Sequence, residues 1–128
     1  MKSNITNPIS AKIGKNIYLR PNHPLEILKR NLCNKAFSEF PVFENLNPVV
    51  SVYENFDALQ IPLEHPSRAA TDTYYIDETK VLRTHTSAHQ NACLKSGLNE
   101  FCVIGDVYRR DEIDSTHYPV FHQFEAIK

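Results

Sequence analysis

Residues 101–127 read FCVIGDVYRRDEIDSTHYPVFHQFEAI. The run Phe101–Arg110 is rich in β-branched and aromatic side chains and predicts a long strand. Asp111–Tyr118 (DEIDSTHY) is polar and predicts a loop of about eight residues. Pro119–Ile127 alternates, with Val120, His122, Phe124 and Ala126 on one face and Phe121, Gln123, Glu125 and Ile127 on the other. Two strands joined by such a polar loop predict a long-looped antiparallel hairpin. An aromatic, an amide and a carboxylate share one strand face, where a core face would be uniformly apolar. That face is therefore a candidate site, with a solvated polar face the competing reading.

Upstream, Leu25, Leu28, Leu32, Cys33, Ala36, Phe37 and Phe40 recur at three- and four-residue steps. They predict a helix from Pro24 to Pro41, with Asn22 able to cap it and Pro24 in its first turn. Val49, Val50, Val52 and Tyr53 predict a strand behind Pro48. Pro62–Arg68 reads as loop, and Tyr74–Ile76 and Val81–Thr86 as short strands. Ser87 looks like an N-cap for a helix over 88–96, with Gly97 as its left-handed stop. Residues 1–22 lack periodicity and read as a mobile basic arm. The predicted class is α+β: a helix followed by mostly antiparallel strands.

Composition sets exclusions. The chain has 128 residues and 3 glycines (Gly14, Gly97, Gly105). Neither a GxxxxGK[ST] loop nor a GxGxxG turn can be built from them, so a nucleotide would have to be held by side chains. Hydrophobic residues make up 41% and charged residues 23%, as in a globular domain. No apolar run is long enough for a membrane span. Net charge is −1, yet residues 1–35 hold seven Lys or Arg and one acid, and the first 25 residues hold no acid. The acid-free start is a transit-peptide-like feature and equally fits a solvated tail; an RNA-contacting arm is a remote third reading. Cys33, Cys93 and Cys102 are odd in number and widely spaced, which predicts free thiols in apolar positions. His85 and His89 lie four apart, but with no HExxH motif no metal site is assigned.

Two groups of residues could carry chemistry. Arg109 sits at the loop edge and suits phosphate. Phe121 offers a ring to a planar base, and Gln123 and Glu125 are polar groups beside it. The second group is Arg83, His85, Ser87 and Gln90 in RTHTSAHQ, whose donors could grip a small polar group or serve as an ordinary cap.

The string GDVYRRDEIDSTHYPVFHQFEA closely resembles motif 2 of the class II phenylalanyl-tRNA synthetases. NLNPVVSVYENFDALQIPLEHPSR, DTYYI and LRTHTSAHQ match that family in the same order. Together they cover residues 23–128. The variants TSAHQ and DSTHYPVFHQ look like the organellar single-chain form. The resemblance implies an N-terminal helix and part of the antiparallel sheet of a class II catalytic domain, preceded by an arm over 1–22.

It also implies roles. Pro48 looks like the motif 1 proline. Arg109 matches the arginine that holds the ATP α-phosphate. Asp111 lies near the amino-acid and adenylate end, His117 matches a loop histidine near the outer phosphates, and Phe121 matches the adenine-stacking ring. Gln123 and Glu125 match residues around the phenylalanine amino group. His85, Ser87 and Gln90 match the segment that contacts the amino acid. The implied reaction is charging of tRNA(Phe) with phenylalanine through an adenylate, with Mg²⁺ accompanying ATP, in the mitochondrial matrix or another organelle. The organellar form is monomeric by resemblance. The Gly-rich motif 3, the downstream side-chain pocket and the C-terminal anticodon-binding domain do not occur in these 128 residues. The chain alone is thus expected to be inactive or nearly so, with an unpaired sheet edge. The alternative is a non-catalytic paralogue that acts as a binding or regulatory module.

Overall fold

The computed structural model describes residues 2–128. The hairpin forms as its pattern predicts. Strands β4 (Phe101–Tyr108) and β5 (Val120–Ile127) pair antiparallel, with Gly105 opposite Gln123 and Val103 opposite Glu125. All eight β4 residues are buried, because β4 is central. Its other neighbour is β1 (Val42–Phe43), which runs parallel to it, a pairing absent from the sequence reading. Two residues carry too little pattern to announce a strand, and only β4 alongside defines it.

Strand β2 (Val49–Ser51) pairs antiparallel with β3 (Lys80–Leu82) in a second small sheet. The predicted strand through Val52 and Tyr53 ends at Ser51. Ser51 instead opens helix α1, here Val52–Asn55, with a capping box. The Glu54 N–H donates to Ser51 Oγ at 3.0 Å, and the Ser51 N–H donates to Glu54 Oε2 at 2.8 Å. Two satisfied end groups outweigh the β preference of Val52 and Tyr53. Tyr74–Ile76 does not form a strand; it contributes one bridge, Tyr75 to Val81.

The long predicted helix is shorter. Helix α2 (Pro24–Asn31) continues as a wider π turn over Leu32–Ala36 and stops before Phe40. His23 caps it, accepting from the Leu25 N–H at 3.1 Å, whereas Asn22 adopts a left-handed conformation. Helix α3 (Gln90–Lys95) ends at Gly97, whose φ of +95° is the predicted left-handed stop.

The arm is not mobile. Ile5, Ile9 and Ile13, four residues apart, pack against Tyr74, Leu82 and Tyr108. Asn4 behaves like a strand residue towards Tyr75: its Oδ1 accepts the Tyr75 N–H at 2.6 Å and its N–H donates to the Tyr75 carbonyl at 3.2 Å. Tyr18 is 2% exposed and donates to the Glu44 carbonyl at 2.7 Å. Burial, then nearby Asp106, pushes its pKa up to about 12, so the hydroxyl stays a donor. The arm thus covers the β4–β5 face that carries Asp106, Tyr108 and His122. The opposite face, bearing Gly105, Phe121, Gln123 and Glu125, is left to the turn before α3.

Candidate active site

Strand alternation puts Phe121, Gln123 and Glu125 on one face, and β4 answers with Val107, Gly105 and Val103. The small residues opposite leave room above the polar pair. The segment LRTHTSAHQ closes over that room. It leaves β3 at Leu82 and turns into a 3-10 helix at Thr86–His89 before α3. Ser87 is therefore not the cap; it lies inside the 3-10 turn, and His85 precedes that turn.

Released from capping, Ser87 serves Glu125. Its hydroxyl donates to Glu125 Oε2 at 2.5 Å. The Thr86 hydroxyl approaches the same oxygen at 3.3 Å, and Gln90 Nε2 donates to Oε1 at 3.3 Å. The Thr86 N–H donates to Gln123 Oε1 at 3.0 Å. Four of the predicted residues, Ser87, Gln90, Gln123 and Glu125, thus form one network. Thr86 joins it unpredicted, because strand alternation assigned it to the other face and the 3-10 turn reverses that assignment.

Arg109 and Phe121 meet beside this network. The guanidinium lies 5.0 Å from the ring centroid, and Nε donates to the Thr84 carbonyl at 3.0 Å. Thr84 is itself fixed by buried Asn55, whose Nδ2 donates to Thr84 Oγ1 at 3.0 Å and whose Oδ1 accepts the Thr84 N–H at 3.1 Å. His85 feels the charges of both Arg109 and Glu125. Both its ring nitrogens are screened from solvent and neither makes a well-formed hydrogen bond. Burial, then the Arg109 charge, holds its pKa below the usual histidine value, against the pull of Glu125. The ring is neutral near pH 7 and offers one acceptor and one donor. A cavity of about 360 Å³ adjoins it, lined among others by His65, Thr73, Thr84, His85, Arg109 and Asp111.

Two predicted residues lie apart from this centre. Asp111 is exposed at the rim of that cavity. His117 is exposed in the hairpin loop, where Nδ1 sits 2.9 Å from Asp114 Oδ1. That contact raises the His117 pKa, while the Thr116 N–H first, and His117 second, hold the Asp114 carboxyl at about 2. Arg83, grouped by sequence with the ligand-gripping donors, is 1% exposed and turned inward. Among the described residues, no group of three or more His, Cys, Asp or Glu is arranged to hold a metal ion.

The model for class II core-domain tRNA synthetases, phenylalanine type, matches residues 4–128. The chain belongs to this family. The match reaches into the arm, which the resemblance drawn from the motifs alone did not. Mitochondrial phenylalanine–tRNA ligase of Dictyostelium discoideum is 48% identical over 132 residues, covering 98% of this chain and 29% of that protein. A probable mitochondrial phenylalanine–tRNA ligase of Drosophila melanogaster is 45% identical, covering 98% of this chain and 30% of that protein. The chain spans about 30% of the length of these curated relatives. Among solved structures, pyrrolysyl-tRNA synthetase from Desulfitobacterium hafniense matches with a TM-score of 0.67 at 15% identity, over 80% of this chain and 38% of that one. At that identity the likeness shows the class II synthetase fold alone. The mixed helix and sheet architecture, with its antiparallel hairpin, is that of a class II synthetase core domain. No described helix is long and apolar enough to cross a membrane.

Proposed function

We propose that this chain supplies the ATP- and amino-group-binding part of a mitochondrial phenylalanine–tRNA ligase. One observation carries the reading: Glu125 gathers donors from Thr86, Ser87 and Gln90 next to the Arg109–Phe121 pair. A carboxylate held this way has a fixed direction and is ready for the ammonium of an amino acid. Gln123, oriented by the Thr86 N–H, stands next to it on β5.

Activation is an in-line attack of the amino-acid carboxylate on the α-phosphate of ATP. Positioning and charge neutralisation supply most of the rate in such a reaction. Arg109 neutralises the developing phosphate charge, and Phe121 takes the base on its ring. Mg²⁺ enters with ATP as substrate, held by phosphate oxygens. Neutral His85, which shares a cavity lining with Arg109, hydrogen-bonds the substrate without adding a second cation there. Asp111 and His117 approach the adenylate end and the outer phosphates from the rim and the loop. Transfer to tRNA(Phe) completes the reaction.

The test titrates isotopically labelled chain with phenylalanine, N-acetylphenylalanine and Mg·ATP, followed by NMR. Phenylalanine is expected to shift the Thr86, Ser87 and Glu125 amides, and Mg·ATP those of Arg109 and Phe121. N-acetylphenylalanine, which lacks the ammonium, is expected to leave the first set unmoved. Equal responses to the two amino-acid probes, or none, overturn the reading.

A further inference from the structure

Arg83 is a charged side chain buried in the core, and among the described residues no carboxylate forms an ion pair with it. Its donors go to neutral acceptors on three different segments. Nε donates to the Asp106 carbonyl at 2.7 Å, on β4. Nη1 donates to the Leu46 carbonyl at 3.2 Å, in the loop between β1 and β2. Nη1 also donates to His89 Nε2 at 3.0 Å, so His89 carries its proton on Nδ1. Burying a guanidinium is costly, and an apolar residue of similar volume would fill the same space. A fork that ties three segments at fixed angles is what the apolar residue could not supply.

The position of the fork is informative. A Cβ on Gly105 would lie 2.2 Å from Arg83 Nη2 and 2.7 Å from Cζ. The guanidinium therefore occupies the side-chain slot of Gly105, on the face that carries Gln123, the residue paired with Gly105. Arg83 and His89 are six residues apart, and their hydrogen bond closes a ring around residues 84–88. That ring contains the Thr84 carbonyl that accepts from Arg109, the Thr86 N–H that donates to Gln123, and the Ser87 hydroxyl that donates to Glu125.

We propose that Arg83 is a positioning residue: seated over Gly105, it fixes residues 84–88 so that Thr86 and Ser87 hold Gln123 and Glu125 in the geometry that receives the substrate ammonium. Calling that geometry an amino-acid site rests on the function proposed above, and the two claims fail separately. Gly105 is the matching half of the device, since any side chain there evicts the guanidinium.

The test compares Arg83→Lys, Gly105→Ala and the double variant Arg83→Met with Gly105→Ala. The double variant fills the slot with apolar volume and removes the buried charge, so it keeps the fold if a single variant does not. Amide exchange is followed at Thr86 and at Cys102, whose N–H is bonded to the Pro41 carbonyl at 2.8 Å away from the ring. Thr86 is expected to exchange at least ~10-fold faster in all three variants, with Cys102 changing less than ~2-fold. Lysine keeps the charge but lacks the fork, so it is not expected to rescue. Equal acceleration at both amides makes Arg83 a structural strut only and overturns the proposal. An unchanged Thr86, or full rescue by lysine, overturns it as well. Phenylalanine titration of the same variants is expected to show a ~10-fold weaker response; if the unsubstituted chain does not respond at all, the function is overturned while Thr86 exchange still decides the role of Arg83.

Discussion

Glu125 is where local chemistry and proposed function coincide. Its oxygens accept from two hydroxyls and an amide, and each of those donors comes from the 84–90 segment. Glu125→Gln keeps the shape and removes the charge. A charged hydrogen bond contributes roughly 1.5–3 kcal/mol, so phenylalanine binding is expected to weaken about 10- to 100-fold with little change in melting temperature. NMR titration of the variant checks this. His89 gives a pH signature. Burial, then the Arg83 charge, lowers its pKa from the ordinary 6.5 to about 4. The unfolded chain takes up that proton below pH 6.5 and the folded chain only near pH 4, so the contribution is full above 6.5 and is lost as pH falls towards 4. Partial solvent access reduces the loss to about 2 kcal/mol. Urea melts at pH 7 and pH 4.5 are expected to show a fall that is smaller in His89→Gln.

At the scale of elements, the decisive events are at ends. Ser51 stops β2 and starts α1 in one residue, because its side chain and that of Glu54 each satisfy a backbone N–H. Ser51→Ala is expected to cost about 1 kcal/mol, with Ser51→Thr closer to neutral, measured by thermal melting. The effect should also reach the site, since α1 ends at Asn55, which fixes Thr84. The turn at 86–89 is the second such end. A strand continued to Ser87 would have pointed Thr86 away from Gln123. The 3-10 turn brings Thr86 and Ser87 together onto the hairpin.

At the scale of the whole molecule, the hairpin is covered unequally. Its arm-side face holds Asp106, with Oδ1 2.9 Å from His122 Nε2 and Oδ2 accepting the Asn16 N–H at 3.3 Å. The Gly14 N–H donates to the Tyr108 hydroxyl at 3.1 Å. Ile9 is 5% exposed beneath Tyr74 and Tyr108. Ile9→Ala is expected to destabilise the chain by about 2–4 kcal/mol in urea unfolding, where a mobile tail would give no change. Among the described residues, β5 is paired on one side only. An eight-residue strand with a free edge is a template for further pairing. Size exclusion is expected to show concentration-dependent self-association, and a monomer at all concentrations would count against it.

The sequence by itself determined the hairpin, its polar face and the residues on it, because strand alternation and the polar loop are local properties. Gly97, Pro24 and the buried positions of Cys93 and Cys102 were legible for the same reason, whereas Cys33, expected in an apolar position, is only half-buried. The motif strings carried the family, although not the arm, whose isoleucines recur every four residues yet acquire meaning only with Tyr74, Leu82 and Tyr108 beneath them. Tertiary structure alone decided the rest. Whether Ser87 caps a helix or grips Glu125 depends on where β5 lies, 38 residues away in sequence. Whether Arg83 faces a ligand or the core depends on an empty slot at Gly105, 22 residues on, and on the carbonyls of its neighbour Asp106 and of Leu46 in a further segment. Such choices are made by partners that are distant in sequence, and no local pattern records them.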